Sequence, residues 1–153
     1  MCREAVKDWI LKRCVFSGKA HLYGNVYYIF GNSHVYACKN TKIVAYEDAK
    51  ITGYENSTIL AHDFSKIIAF GDSCVTSKDH STVELFDYSR VFASDFSIVK
   101  AFYYSKVDAW DYSTIFSHHT ASSTRQNRCR HYLHIWADSA ENRAFPAPLR
   151  SCR

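Results

Sequence analysis

Glycine and proline are scarce in this chain of 153 residues, five and two respectively, which is few for a sequence that must turn often. Calcium-loaded solenoids depend on glycine at their turns, so the scarcity weighs against that class. Long apolar runs are missing too. No stretch of about 18 apolar residues exists, and nothing is expected to span a membrane. The opening Met1-Cys2-Arg3-Glu4 mixes acid and base where a signal peptide needs an apolar run. The six cysteines, Cys2, Cys14, Cys38, Cys74, Cys129 and Cys152, show no C-x-x-C pairing. They read as reduced thiols, and a cytoplasmic setting is expected. No catalytic or cofactor motif stands out, and the expectation is a non-enzyme without a cofactor.

What is present is aromatic and repetitive. Hydrophobic residues make up 47% and aromatics 16% of a chain long enough for one domain. The formal charge of +4 is unevenly spread. Residues 1–24 carry five basic and two acidic residues, residues 25–120 eight and eleven, and residues 121–153 six and two. A mildly acidic middle is flanked by basic ends.

From Ser33 to Thr120 the chain divides into eleven octads of the form S-x-[VI]-x-A-x-[DE]-x, preceded by a degenerate copy at Asn25. Position three is β-branched in all eleven, from Val35 and Ile43 through Val107 and Ile115. Position five is small in all but one, Leu85. Positions one, three and five share a parity, so in a strand they face one way, and that way is inward. A helix fails because eight residues fit neither 3.6 nor the heptad, and Ser with β-branched residues disfavours it.

Taking every second octad produces uniform columns and every third scrambles them. The expected fold is therefore all-β: a two-sided parallel β-solenoid (a β-helix) of about six 16-residue coils over residues 25–120. Residues 1–24 are expected to form an N-terminal cap, with a helix over about 3–15 presenting Val6, Trp9, Ile10 and Cys14 on one side. Residues 121–153 form a basic C-terminal cap or tail. Within it, 122–130 reads as a polar linker, 131–136 as a last strand or apolar cover, and 144–148, Ala-Phe-Pro-Ala-Pro, as unable to continue a sheet.

The octads of residues 33–120 resemble S-x-V-x-A repeats in bacterial and phage solenoid proteins of unassigned function. They are similar, more distantly, to the sixteen-residue repeats of bacterial ice-nucleation proteins. The resemblance rests on Ser at position one and Ala at position five, and it implies the fold. It does not carry ice binding, because the outward positions that are regular T-x-T rows in those proteins are mixed here, as in Tyr36, Val44, Thr52, Glu84, Lys100 and Asp108.

Three columns are candidates for function. Tyr54, Phe70, Phe86 and Phe102 stack at position six, either as a partner-binding stripe, as a platform for sugars or bases, or simply as a ladder that stabilises the sheet. Position eight changes character along the chain. It is polar in early copies (Asn32, Asn40, Asp48, Asn56), Phe64 excepted, and aromatic in later ones: Tyr88, Phe96, Tyr104 and Tyr112, with Trp110 nearby. A scaffold alone would not require that change, so it suggests a docking surface in the later coils. The acidic column, Glu47, Asp63, Asp79, Asp95 and Asp111, is read first as accepting backbone N–H groups in its own turn. Calcium binding and mimicry of a nucleic-acid backbone stay open beside that reading.

The basic tail, Arg125, Arg128, Arg130, Arg143, Arg150 and Arg153 with Tyr132 and Trp136, either touches phosphates or is merely solvated. Cys129, His131 and His134, with His118 and His119 upstream, match no closed zinc site, and no metal is expected. The expected function is a binding module for a protein partner, with homodimerisation as one form of it. The alternative is a phage or bacterial inhibitor or structural protein that occupies a nucleic-acid or host-protein site through the acidic column. Carbohydrate or ice binding ranks last.

Overall fold

The structure, a computed structural model, describes residues 3–118, 121–125 and 129–134. One helix, α1 (Arg3–Arg13), precedes sixteen strands. These are β1 (Cys14–Val15), β2 (Lys19–Tyr23), β3 (Val26–Ile29), β4 (His34–Cys38), β5 (Lys42–Ala45), β6 (Lys50–Gly53), β7 (Thr58–Ala61) and β8 (Lys66–Ala69). There follow β9 (Cys74–Ser77), β10 (Thr82–Leu85), β11 (Arg90–Ala93), β12 (Ile98–Ala101), β13 (Lys106–Ala109), β14 (Thr114–His118), β15 (Ser122–Arg125) and β16 (Arg130–His134). Odd-numbered strands form one eight-stranded sheet and even-numbered strands the other, and every pairing is parallel. From β3 onward each residue pairs with the residue sixteen further on, as in Val83 with Val99 and Ile43 with Ile59. The two-sided parallel solenoid is thus the observed fold, two octads to a coil.

The inward parity holds without exception. Position-three residues from Val35 to Ile115 are fully buried, as are the serines or threonine of position one and the alanines of position five. Ala49 takes the place of Ser in one coil. An interior made of Val, Ile, Ala and Ser side chains lets two sheets approach closely, and interdigitation needs no large residue beyond Leu85.

The solenoid is longer than the octads. Sheet pairing begins at Cys14 and continues to His134, one coil past each expected boundary. The first coil was hidden because its register is irregular: Cys14 pairs with Tyr28 and Lys19 with His34, spacings of fourteen and fifteen rather than sixteen. At the other end, residues 122–125 form a strand where a polar linker was expected. A finished sheet edge offers backbone partners that need no apolar side chain: the Ser122 amide donates to the Ser105 carbonyl at 3.0 Å.

The helix ends at Arg13, and Cys14 already belongs to β1. Glu4 in its first turn and Lys12 and Arg13 in its last suit the helix dipole. It rests on the start of the odd-strand sheet, with the Trp9 ring 5.7 Å from that of Tyr28 and Arg13 donating to the Val26 carbonyl at 3.3 Å.

Candidate functional site

Each coil turns twice, and both turns have the same construction. The position-one amide donates to the position-six carbonyl three residues earlier, for example Ser81 to Lys78 at 3.2 Å and Ser89 to Phe86 at 3.3 Å. Several position-one hydroxyls reinforce it, Ser89 Oγ donating to the Phe86 carbonyl at 2.6 Å and Ser113 Oγ to that of Trp110 at 2.8 Å. Position seven sits between them in the left-handed region: Glu47, Asp63, Asp79, Asp95 and Asp111 all have φ between 55° and 59°. Asp tolerates this conformation better than most residues, which is how a chain with five glycines makes so many corners.

The acidic column works differently from the expectation. Four of its five carboxylates reach back to the corner of the preceding coil instead of bonding within their own turn. Glu47 accepts from the Gly31 amide at 2.7 Å, Asp63 from that of Glu47 at 3.0 Å, Asp79 from that of Asp63 at 3.3 Å, and Asp95 from that of Asp79 at 3.3 Å. The reason is geometric: a left-handed residue turns its amide outward from the sheet ladder, and the nearest acceptor is the acid one coil on. His62 Nδ1 also lies 3.4 Å from Asp79 Oδ2.

Because octads alternate between sheets, consecutive position-eight residues fall on opposite edges of the flattened tube. The later aromatics therefore do not form one surface. Phe96, Tyr112 and Trp110 lie on the edge that carries Glu47, Asp63, Asp79, Asp95 and Asp111, here called the acid edge. Tyr88 and Tyr104 lie on the other, the tyrosine edge, beside Tyr54, Phe70, Phe86 and Phe102. The sixteen-residue coil already implies this division; reading position eight octad by octad merges the two edges.

On the tyrosine edge the expected ladder is present. Tyr54, Phe70, Phe86 and Phe102 stack in sequence with ring centroids 5.4, 5.0 and 5.0 Å apart and planes within 15°. Outside it, Tyr88 and Tyr104 stack at 5.6 Å. Tyr103, which the column reading overlooked because its position is usually acidic, joins them 6.4 Å from Phe86. Tyr88, Tyr103 and Tyr104 are 67%, 57% and 61% exposed. Asp87 repeats the acid device here, accepting from the Gly71 amide at 3.3 Å.

The acid edge holds two further ladders. Phe16, Phe30, Tyr46 and His62 stack through the early coils at 5.2 to 5.3 Å. Phe64, His80, Phe96 and Tyr112 run outside the acids at 5.3 to 5.4 Å. Trp110 is half-buried beside Phe92, ring centroids 6.1 Å apart. Within these files the inner ring faces are largely spent on one another, the Phe64–His80 pair being tilted by 33°. A platform for a sugar or a base needs an open face, so such ligands have little to stack on along the ladders.

Elsewhere the candidates separate. Cys129 is buried in the column of position-one serines, 3.7 Å from Ser113 Oγ, and so points away from any outer ligand set. Arg130 is exposed on β16. Arg128, Arg143, Arg150, Arg153 and Trp136 lie outside the described residues, as do the side chains of Arg125, His131, Tyr132 and His134. Burial pushes the Cys74 thiol up from its ordinary value, against the opposing pull of Arg90 beside it, which makes it a poor nucleophile at neutral pH. Among the described residues no helix is long and apolar enough to cross a membrane, and no cluster of three or more His, Cys, Asp or Glu is placed to hold a metal ion. Neither a family model, nor a curated protein, nor a solved structure matches the chain.

Proposed function

We propose that the chain is a non-enzymatic binding module that engages a protein partner through its tyrosine edge. The observation that carries this reading is the exposure of Tyr88, Tyr103 and Tyr104 in adjacent coils, backed by the half-buried rings of Phe86 and Phe102. Tyrosine suits such a role because it offers a large apolar body, a polar tip and few rotors to freeze. Three rings exposed by more than half present roughly 300 Å² of aromatic surface. A stable interface needs about 800 Å² per partner, so the tyrosines serve as an anchor and the flanking coils supply the rim.

The inhibitor reading through the acid edge draws less support from the geometry. Its carboxylates follow the strand spacing, about one per 4.8 Å, whereas duplex DNA carries one charge per about 1.7 Å. One oxygen of most of these acids is also engaged by a backbone amide.

The test is a variant carrying Tyr88→Ser, Tyr103→Asn and Tyr104→Ser, used as bait beside the unaltered chain in lysate of the source cells. Asn is chosen at 103 because it accepts the left-handed backbone. The variant is expected to fold with a thermal transition lowered by a few degrees, for the lost Tyr88–Tyr104 stack, and to lose the specifically captured proteins. Capture of the same proteins in the same amounts would end this proposal.

A further inference from the structure

We infer that helix α1 is a docking element for a second copy of the chain, which receives it on the acid edge. The helix has eleven residues and buries none of them; only Ile10 and Arg13 are more covered than exposed by a wide margin. Val6 and Trp9 are about half exposed and Leu11 is 82% exposed. An isolated helix of this length is marginal in water, and helices in proteins persist through packing of an apolar face. The ring contact of Trp9 with Tyr28 and the single hydrogen bond of Arg13 leave Val6 and, on the side of Arg3 and Lys7, Leu11 open to solvent. Something further is needed to cover it.

Charge identifies what. Residues 3–24 hold Arg3, Lys7, Lys12, Arg13 and Lys19 against Glu4 and Asp8. Among the described residues one ion pair is formed there, Lys12 with Asp8 at 2.7 Å, and it lies within the helix. Arg3, Lys7 and Leu11 recur every four residues and so line one side. The acid edge is the complement. Its turns carry Glu47, Asp48, Asp63, Asp79, Asp95 and Asp111 against Lys78 alone, and the acids run beside the exposed rings of Phe64, Phe96 and Tyr112. A basic and apolar helix meets an acidic and apolar stripe. The tyrosine edge is a poorer match, since its turns include Lys39 and fewer acids. Every copy carries both surfaces, so the contact is made either reciprocally, closing a dimer, or in sequence, building a chain. This inference concerns a different edge from the proposed partner site and stands or falls apart from it.

The experiment is sedimentation of the full chain with reversed charges. At low salt the weight-average mass is expected to rise with concentration above the 17.6 kDa of one chain, and to return towards it at about 0.5 M salt, where screening is short-ranged. Arg3→Glu with Lys7→Glu, and separately Asp63→Lys with Asp79→Lys, should each yield monomers. Their equimolar mixture should associate again, because each then offers the other an opposite charge. Lys39 already occupies the left-handed corner position with φ 49°, so lysine is tolerated there. Should the lysine variant fail to fold, Asp63→Asn, Asp79→Asn and Asp95→Asn together preserve the corners and should weaken association about tenfold or more. A chain monomeric under all conditions, association indifferent to these substitutions, or a mixture of folded variants that stays monomeric would each overturn the inference. The tyrosine-edge variant should leave the mass unchanged.

Discussion

An aspartate at φ 56° with its carboxylate on the amide of the coil beneath does two tasks at one position: it turns the chain and ties one coil to the next. The serine at position one is less uniform. Ser33, Ser73, Ser81, Ser89 and Ser113 donate to the carbonyl three residues back, whereas the buried hydroxyls of Ser57, Ser65, Ser97 and Ser105 make no hydrogen bond. A buried hydroxyl without a partner is a cost, and a partnered one contributes about 1 kcal/mol. Ser89→Ala should therefore destabilise by about 1 kcal/mol, while Ser65→Ala should be neutral or slightly stabilising. Ala49, in the same place two octads earlier, shows that the methyl fits. Urea titrations of the two variants check the contrast, and equal losses would contradict it.

At the scale of the element, the strands are plain and the ladders carry the individuality. Phe86 stacks on a ring to either side, Phe70 and Phe102, whereas Tyr54 stacks on Phe70 alone among the ring contacts of its file. With each aromatic pair contributing about 0.5–1.5 kcal/mol beyond area, Phe86→Ala should cost about twice what Tyr54→Ala does, measured by thermal unfolding. The strands and their inward columns were readable from the octads, because burial of positions one, three and five leaves its mark at every copy. The direction in which Asp63 or Asp79 reaches was not readable, since an acid at a corner looks the same whether it serves its own turn or the coil before. The division of Tyr88 from Phe96, by contrast, follows from two octads to a coil: adjacent in the repeat, they stand on opposite edges. Strands β1, β2 and β15 escaped notice because the pairing spacing departs from sixteen, or because Ser122-Ser123-Thr124 has no β-branched apolar residue at the third position.

For the molecule as a whole, stability approximates a sum over neighbouring coils. Deleting residues 65–80 removes one full coil and joins Phe64 to Ser81 in phase, so every column continues. Deleting only residues 73–80 exchanges the edges for everything that follows, taking Phe86 off Phe70 and setting Ser94 in its place. The shorter deletion should therefore lower the melting temperature more than the longer one, a result that scanning calorimetry can reverse or uphold. The tether between coils also has a direction. Glu47, Asp63, Asp79, Asp87 and Asp95 each grip an amide that precedes them by sixteen residues. Synthesis delivers the amide before the acid, so each coil leaving the ribosome brings its own latch for the coil already formed. The rod can close turn by turn as it emerges, without waiting for its far end.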